Sequence, residues 1–153
     1  MCDYCGCRET GAIEELSEDH ELALHLVAGL RRTLEGGAAQ ERSSLLRELQ
    51  QILPAHLEKE EAGIFARLEE DPGFAWYLGE LTAGHANLRA GLLSIDGSDA
   101  DALAAALDEL EAHIDLEEHD LFPASRMIID DAGWEAVAAV HAARAGRRGS
   151  EQA

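Results

Sequence analysis

Apolar residues recur at helical spacing through four long segments of the 153-residue chain, and this spacing constrains the fold more than any other feature. Turn-forming clusters separate the segments at residues 35–37, 71–73 and 96–98. The pattern predicts helices over residues 12–35, 41–70, 73–95 and 99–122, followed by a final helix over 133–145. Long helices joined by short loops predict an all-α fold, an up-down-up-down four-helix bundle with a short additional C-terminal helix.

Three parts of the chain are expected from this pattern. Residues 1–11 form a segment that contains three cysteines, residues 12–123 form the bundle, and residues 124–153 form the C-terminal helix and a flexible tail from Gly146. Pro54 lies inside the second segment, so that helix is expected to kink there or to divide into two pieces. Pro123 is expected to follow the end of the fourth helix.

The charge balance excludes several classes of protein. The chain has 31 acidic and 12 basic side chains and a formal net charge of −19, which argues against a nucleic-acid-binding surface or a basic membrane patch. No apolar run is long enough for a membrane span, and the first ten residues lack the features of a secretory signal. We therefore expect a cytoplasmic protein that contacts neither nucleic acid nor membrane.

Histidines occupy core positions on all four long helices. Each apolar stripe carries one histidine, and two stripes also carry a glutamate; these residues are His20, His56, Glu60, His85, His113 and Glu117. A single core histidine is usually satisfied by a local hydrogen bond. Four histidines sharing an interior with two carboxylates are different, because buried carboxylates require a compensating positive charge. A metal ion supplies that charge, and imidazole is a common metal ligand.

A repeat supports this interpretation. The frame H-x-x-x-E-E-x-x-x-F begins at His56 and recurs 57 residues later at His113. Residues at i and i+4 lie about 40° apart on a helix, so each histidine can share a metal with the glutamate four positions on. Two facing copies supply the half-sites of a two-metal centre. The residues at i+5 are turned by about 140°. The two residues at i+5, Glu61 and Glu118, are expected to form a solvated face together with Glu58.

The order of these motifs resembles the hemerythrin-like, or HHE cation-binding, domain over about residues 12–123. The resemblance implies a four-helix bundle with a non-heme di-iron centre. It implies two iron ions with an oxo or hydroxo bridge, and it makes Glu60 and Glu117 the carboxylates that bridge them. Its metal ligands carry over onto the six core positions: His20, His56, Glu60, His85, His113 and Glu117. Oxygen-carrying hemerythrins have a second histidine on the third helix, where this chain has Leu81 and Arg89 four residues on either side of His85. Their last carboxylate lies at i+5 from its histidine, so the resemblance leaves open whether Glu118 replaces Glu117 as a ligand.

The ligand count favours reaction over reversible oxygen storage. If both glutamates bridge and each metal takes two histidines, each metal has four protein ligands. A bridging oxo or hydroxo group makes five, so one position stays open on each metal of a six-coordinate pair. The sequence therefore predicts a protein that binds or reacts with O2, peroxide or NO as a sensor, scavenger or carrier. The alternatives are a di-iron enzyme that decomposes hydrogen peroxide and an iron-storage or iron-sensing protein. The ligand types also suit manganese or zinc, and the resemblance favours iron.

Several other residues carry alternatives. Cys2, Cys5 and Cys7 supply three thiolates, either for a metal or a role with a redox partner, or simply as exposed reduced thiols. Gly63 would leave room for a small ligand or serve close helix packing. The histidines outside the repeat and off the metal-facing stripe are expected to have no part in the site: His25, His119 and His141.

Overall fold

The computed structural model describes residues 11–151, and side-chain surroundings as far as residue 145. The predictions for Cys2, Cys5 and Cys7 lie outside the described residues. The predicted all-α class is confirmed, because residues 11–151 contain helices and turns and no strand. No helix in this range is long and apolar enough to cross a membrane.

Five long helices make up this part of the chain: α1 (Gly11–Leu34), α2 (Ala39–Glu60), α3 (Ala75–Ala90), α4 (Ala100–Leu116) and α5 (Asp131–Glu151). Two of them continue through a π-helical turn into a further piece of α-helix. The π-turn Glu61–Phe65 and the piece Ala66–Leu68 follow α2, and the π-turn Glu117–Leu121 and the piece Phe122–Ile128 follow α4. Asp99 caps the start of α4, where its side chain accepts a hydrogen bond from the Ala102 N–H.

Of the two outcomes expected at Pro54, a kink or a division, the division is excluded, because α2 runs as one helix from Ala39 to Glu60. Proline lacks only its own N–H, so the Gln50 carbonyl alone loses its helical donor. Leu53 and Leu57 are fully buried on either side of Pro54 and hold this stretch against the core.

Two other predicted boundaries differ from the structure. The third helix ends at Ala90 rather than near residue 95, because Gly91 leaves the helical conformation and turns the chain. The fourth continues past Pro123 to Ile128. Pro123 directly follows the π-turn, where the hydrogen-bonding register changes and a missing N–H costs least.

The C-terminal helix is longer than predicted, and its backbone is helical through Gly146 as far as Glu151. It packs against α1 and against the π-turn that follows α2. Val137 is fully buried in this contact, and a Cβ added at Gly63 would lie 3.2 Å from Val137 Cγ1. Gly63 therefore serves the close approach of α5, the second of the two roles considered for it.

The apolar core consists of two clusters that lie at opposite ends of the helices. One contains Leu30, Leu49 and Leu107 with their neighbours, and the other contains Leu16, Leu68 and Phe122 with theirs. Between the two clusters, each of the helices α1 to α4 places a polar residue at a core position that would otherwise hold a leucine. This arrangement positions the polar residues in a band across the middle of the core.

Candidate metal centre

The polar band contains all six predicted ligand residues. The four histidines come from four helices, His20 from α1, His56 from α2, His85 from α3 and His113 from α4. Glu60 ends α2, and Glu117 begins the π-turn after α4. None of the six is more than 8% exposed, and both glutamates are 0% exposed. The sequence pattern therefore correctly predicted that these side chains share one interior.

The Glu60 carboxylate lies among three histidines from three different helices. Its Oε1 atom is 3.3 Å from His56 Nε2 and 3.9 Å from His20 Nε2. Its Oε2 atom is 3.3 Å from His85 Nε2. Glu60 thus directs one oxygen to each side of the band.

Glu117 also directs its two oxygens to different histidines. Its Oε2 atom is 3.3 Å from His20 Nε2, while its Oε1 atom is 2.8 Å from His113 Nε2 and 3.4 Å from His85 Nε2. The histidines consequently form two pairs, with ring centroids 4.6 Å apart for His20 and His56 and 4.8 Å apart for His85 and His113. Each pair faces one oxygen of Glu117 and one of Glu60.

Most of the atoms that meet here make no hydrogen bond within the described residues. They are both oxygens of Glu60, Oε2 of Glu117, and the Nε2 atoms of His20, His56 and His113. Buried polar atoms are nearly always satisfied, so a convergent set of unsatisfied donors and acceptors indicates a bound group. Two groups of residues in the band bring ligand atoms close enough together to hold a metal ion. One group is His20, His56, Glu60 and Glu117, and the other is His85, His113 and Glu117.

The pKa values show that the site attracts positive charge. Burial by itself lowers the pKa of an imidazole, but nearby carboxylates outweigh burial here. Glu60 and Asp19 raise the pKa of His56 to about 10, and Glu117 and Glu60 raise the pKa of His85 to about 10. Burial raises the pKa of Glu117, yet the surrounding histidines hold it well below its ordinary value. A metal ion would occupy the same negative potential in place of these protons.

Two histidines are oriented by the glutamates at i+5 of the repeat. His20 Nδ1 donates to Glu118 Oε1 at 2.9 Å, and His85 Nδ1 donates to Glu61 Oε1 at 2.8 Å. Arg89 donates to both oxygens of Glu61. Nδ1 donation leaves Nε2 as the metal-binding nitrogen, the usual arrangement of a histidine ligand and its carboxylate.

The prediction that Glu61 and Glu118 belong to a solvated face is therefore wrong, although Glu58 is exposed as predicted. Each of the two glutamates is turned away from the ligands of its own helix and reaches a histidine of a neighbouring helix. The signal available in the sequence was the second glutamate of the repeat, which is present in both copies.

His56 is oriented by a larger network. Its Nδ1 atom donates to Asp19 Oδ2 at 3.3 Å, and the ammonium of Lys59 donates to Asp19 and to Glu15. His141, on α5, donates from Nδ1 to the second oxygen of Glu15 at 2.8 Å. His141 is 4% exposed, so the expectation that it has no part in the site is corrected. Its partner Glu15 lies 126 residues away, which no local pattern could indicate.

His113 differs from the other three histidines. Among the described residues, its Nδ1 atom has no carboxylate partner, and its ring lies directly against Gly84. The predictions for the remaining two histidines hold. His25 is exposed, and His119 is exposed and bonded to Asp115 of its own helix.

Each π-turn lies between a ligand glutamate and a phenylalanine five residues on: the first begins at Glu61, directly after Glu60, and the second begins at Glu117 itself. In an uninterrupted α-helix the phenylalanine, five residues after the glutamate, would be turned from it by about 140°. A π-turn rotates each residue by less, so the ring returns toward the histidines. Phe65 stacks on His85 with centroids 5.0 Å apart, and Phe122 stacks on His20 at 5.6 Å. The two rings close the apolar end of the site.

Comparison with known proteins agrees with this geometry. The model of the hemerythrin HHE cation binding domain matches residues 11–125, which include all six residues of the band and both π-turns. No curated protein and no solved structure matches the chain. Helix α5 lies beyond the matched residues.

Proposed function

Because the chain belongs to the hemerythrin HHE cation-binding domain family, we propose that it binds two iron ions with the six residues of the band. The ligands are His20 and His56 for one iron, His85 and His113 for the other, and Glu60 and Glu117 for both. In this proposal α1 to α4 form an up-down-up-down four-helix bundle around the metals. We also propose, from the sequence alone, that the protein is cytoplasmic and that it has a redox partner.

One observation carries the proposal. Glu60 and Glu117 each present one oxygen to the His20–His56 pair and the other to the His85–His113 pair. A carboxylate that served only as a core hydrogen-bonding group would not need both oxygens free of hydrogen bonds, as those of Glu60 are. Bridging of two cations accounts for all four oxygen positions.

Bound iron would supply exchange between Fe(II) and Fe(III) with a small oxidant, for which we propose O2, peroxide or NO. The residues of the chain hold the metals and limit access to them. Two histidines and two carboxylate oxygens on each side leave coordination positions free for a small molecule. Phe65 and Phe122 cover one side of the site, and the two apolar clusters lie on either side of the polar band.

Metal analysis of the purified protein with an optical spectrum tests the proposal. The expected result is two irons per chain with near-ultraviolet charge-transfer bands of a bridged iron pair. A protein that takes up iron at neither position, or that keeps its full metal content when both Glu60 and Glu117 are changed to Gln, would contradict it.

Reaction with oxidants separates the roles open to such a centre. We expect the reduced protein mixed with O2 in stopped flow to be oxidised in a single turnover, because the free positions on both metals favour reaction over storage. A long-lived species that releases O2 under vacuum would contradict this expectation. Sustained O2 release from hydrogen peroxide would instead identify an enzyme that decomposes peroxide.

A further inference from the structure

A chain of hydrogen-bonded side chains links α5 to His56. It runs from His141 through Glu15, Lys59 and Asp19 to the Nδ1 atom of His56, and we call His141, Glu15, Lys59 and Asp19 the α5 network. Every step is a hydrogen bond between side chains, with distances from 2.6 to 3.3 Å. The network joins three elements, since Glu15 and Asp19 are on α1 and Lys59 is on α2.

Lys59 is the centre of the network and is buried to an unusual degree for lysine. Its side chain is 5% exposed, and its ammonium lies 2.7 Å from Glu15 and 2.6 Å from Asp19. A buried ammonium needs such partners, since leaving one unpaired costs several kcal/mol. Lys59 therefore ties the two carboxylates together, and Asp19 presents its Oδ2 atom to the His56 N–H.

His141, at the α5 end of the network, has a defined position. The His141 ring lies between Glu15, to which Nδ1 donates, and Gly63, where an added Cβ would be 3.7 Å from Nε2. His141 therefore fixes the carboxylate of Glu15 from one side while Lys59 holds it from the other. Glu15 is part exposed, and without His141 it would have only the lysine to orient it.

We propose that His141, Glu15 and Lys59 are positioning residues for the metal ligand His56, so that α5 controls how tightly one of the two irons is held. The inference rests on the proposed iron-binding function. Asp19 is the member in contact with His56, and the others act through it.

The second iron serves as an internal control. His85 is oriented by Glu61, which in turn accepts a hydrogen bond from Arg89. Neither residue is a member of the α5 network. A change in the network should therefore affect the iron on His20 and His56 and leave the other unchanged. A general loss of stability would affect both irons alike.

The test measures iron release from the protein loaded anaerobically with Fe(II), using a coloured ferrous chelator. His141→Leu removes the donor and keeps the bulk of the ring. Loss of an outer hydrogen-bonding partner typically lowers metal affinity about 10- to 100-fold, so we expect one of the two irons to leave about 10-fold faster. His141→Asn keeps an N–H in the place of Nδ1 and should restore the slow release.

Val137→Ala is the matched control, because Val137 is buried in the same face of α5 and makes no polar contact. It should lower the melting temperature and leave both release rates unchanged. Equal rates in the parent and His141→Leu, or equal acceleration in Val137→Ala and His141→Leu, would overturn the inference. A parent protein that binds no iron would instead contradict the proposed function itself, so the two failures are distinct.

Discussion

The ring of His113 lies directly against Gly84 on the neighbouring helix: a Cβ added at Gly84 would be 2.6 Å from His113 Nδ1 and 2.9 Å from Cε1. Side-chain Cβ atoms do not approach other atoms this closely without displacement. Because His113 has no carboxylate on Nδ1 within the described residues, contact with Gly84 constrains its ring on that side.

Gly84→Ala should therefore displace His113 and weaken the iron that His113 shares with His85. We expect the iron content to fall from two to about one per chain, measured by metal analysis after gel filtration. Gly79→Ala is the matched control, since Gly79 is on the same helix with open space around it. Replacing an exposed helical glycine by alanine should stabilise the protein by about 0.5–1 kcal/mol. Full iron content in Gly84→Ala would show that the ring can move without loss of binding.

The glutamates at i+5 offer a second comparison. Glu61→Ala removes the carboxylate that orients His85, and Glu118→Ala removes the one that orients His20. Each change should lower iron affinity about 10- to 100-fold in competition with a chelator. Glu58→Ala changes an exposed glutamate of the same acidic run and should leave the affinity unchanged. A similar small effect of all three would mean that Glu61 and Glu118 do not support the ligands.

The comparison of these glutamates shows what the sequence could predict. Helical spacing relates residues on one helix, so it correctly placed His56 with Glu60 and His113 with Glu117 on core-facing stripes. It could not indicate that Glu61 reaches His85, because that contact depends on which helices are neighbours. The two π-turns were also missed, since their spacing differs from the 3.6-residue period on which the prediction relied.

The burial of one face of helix α5 was missed in a different way. Its spacing predicted a helix, but its alanines and glycines gave no strong apolar stripe to indicate burial. The structure shows that Gly63 allows close approach of Val137 on α5. One turn further along α5, His141 donates a hydrogen bond to Glu15. A buried histidine whose partner is on a distant helix looks the same in sequence as an exposed one.

The raised histidine pKa values predict the pH dependence of the metal-free protein. In the folded state the carboxylates raise the pKa of His56 and His85 to about 10, against about 6.5 in an unfolded chain. Their protonated forms stabilise the fold fully below about pH 6.5, and this contribution is lost as the pH rises toward 10. We therefore expect the free energy of unfolding, measured by urea titration after chelation, to fall between pH 6.5 and pH 10. A rise over this range would contradict the assignment.

Iron affinity should change in the opposite direction over the same range. Metal binding requires imidazoles without a proton on Nε2, so protons compete with iron at His56 and His85. The apparent affinity should increase as the pH is raised from 6.5 toward 9, measured by competition with a chelator whose own protonation is corrected for. An affinity that does not change with pH would mean that these imidazoles do not bind the metal.

Removal of the metal should lower the melting temperature. Glu60 and Glu117 are completely buried, and four imidazoles surround them in an otherwise apolar interior. A ligand that binds only the folded state stabilises it by about 2.7 kcal/mol when its free concentration is 100 times the Kd. We expect a chelated sample to melt several degrees below the iron-loaded one, followed by circular dichroism at 222 nm, and to recover on addition of Fe(II). The variant in which Glu60 and Glu117 are both changed to Gln should melt at the same temperature with and without iron. An iron-dependent melt in that variant would place the stabilising metal elsewhere in the chain.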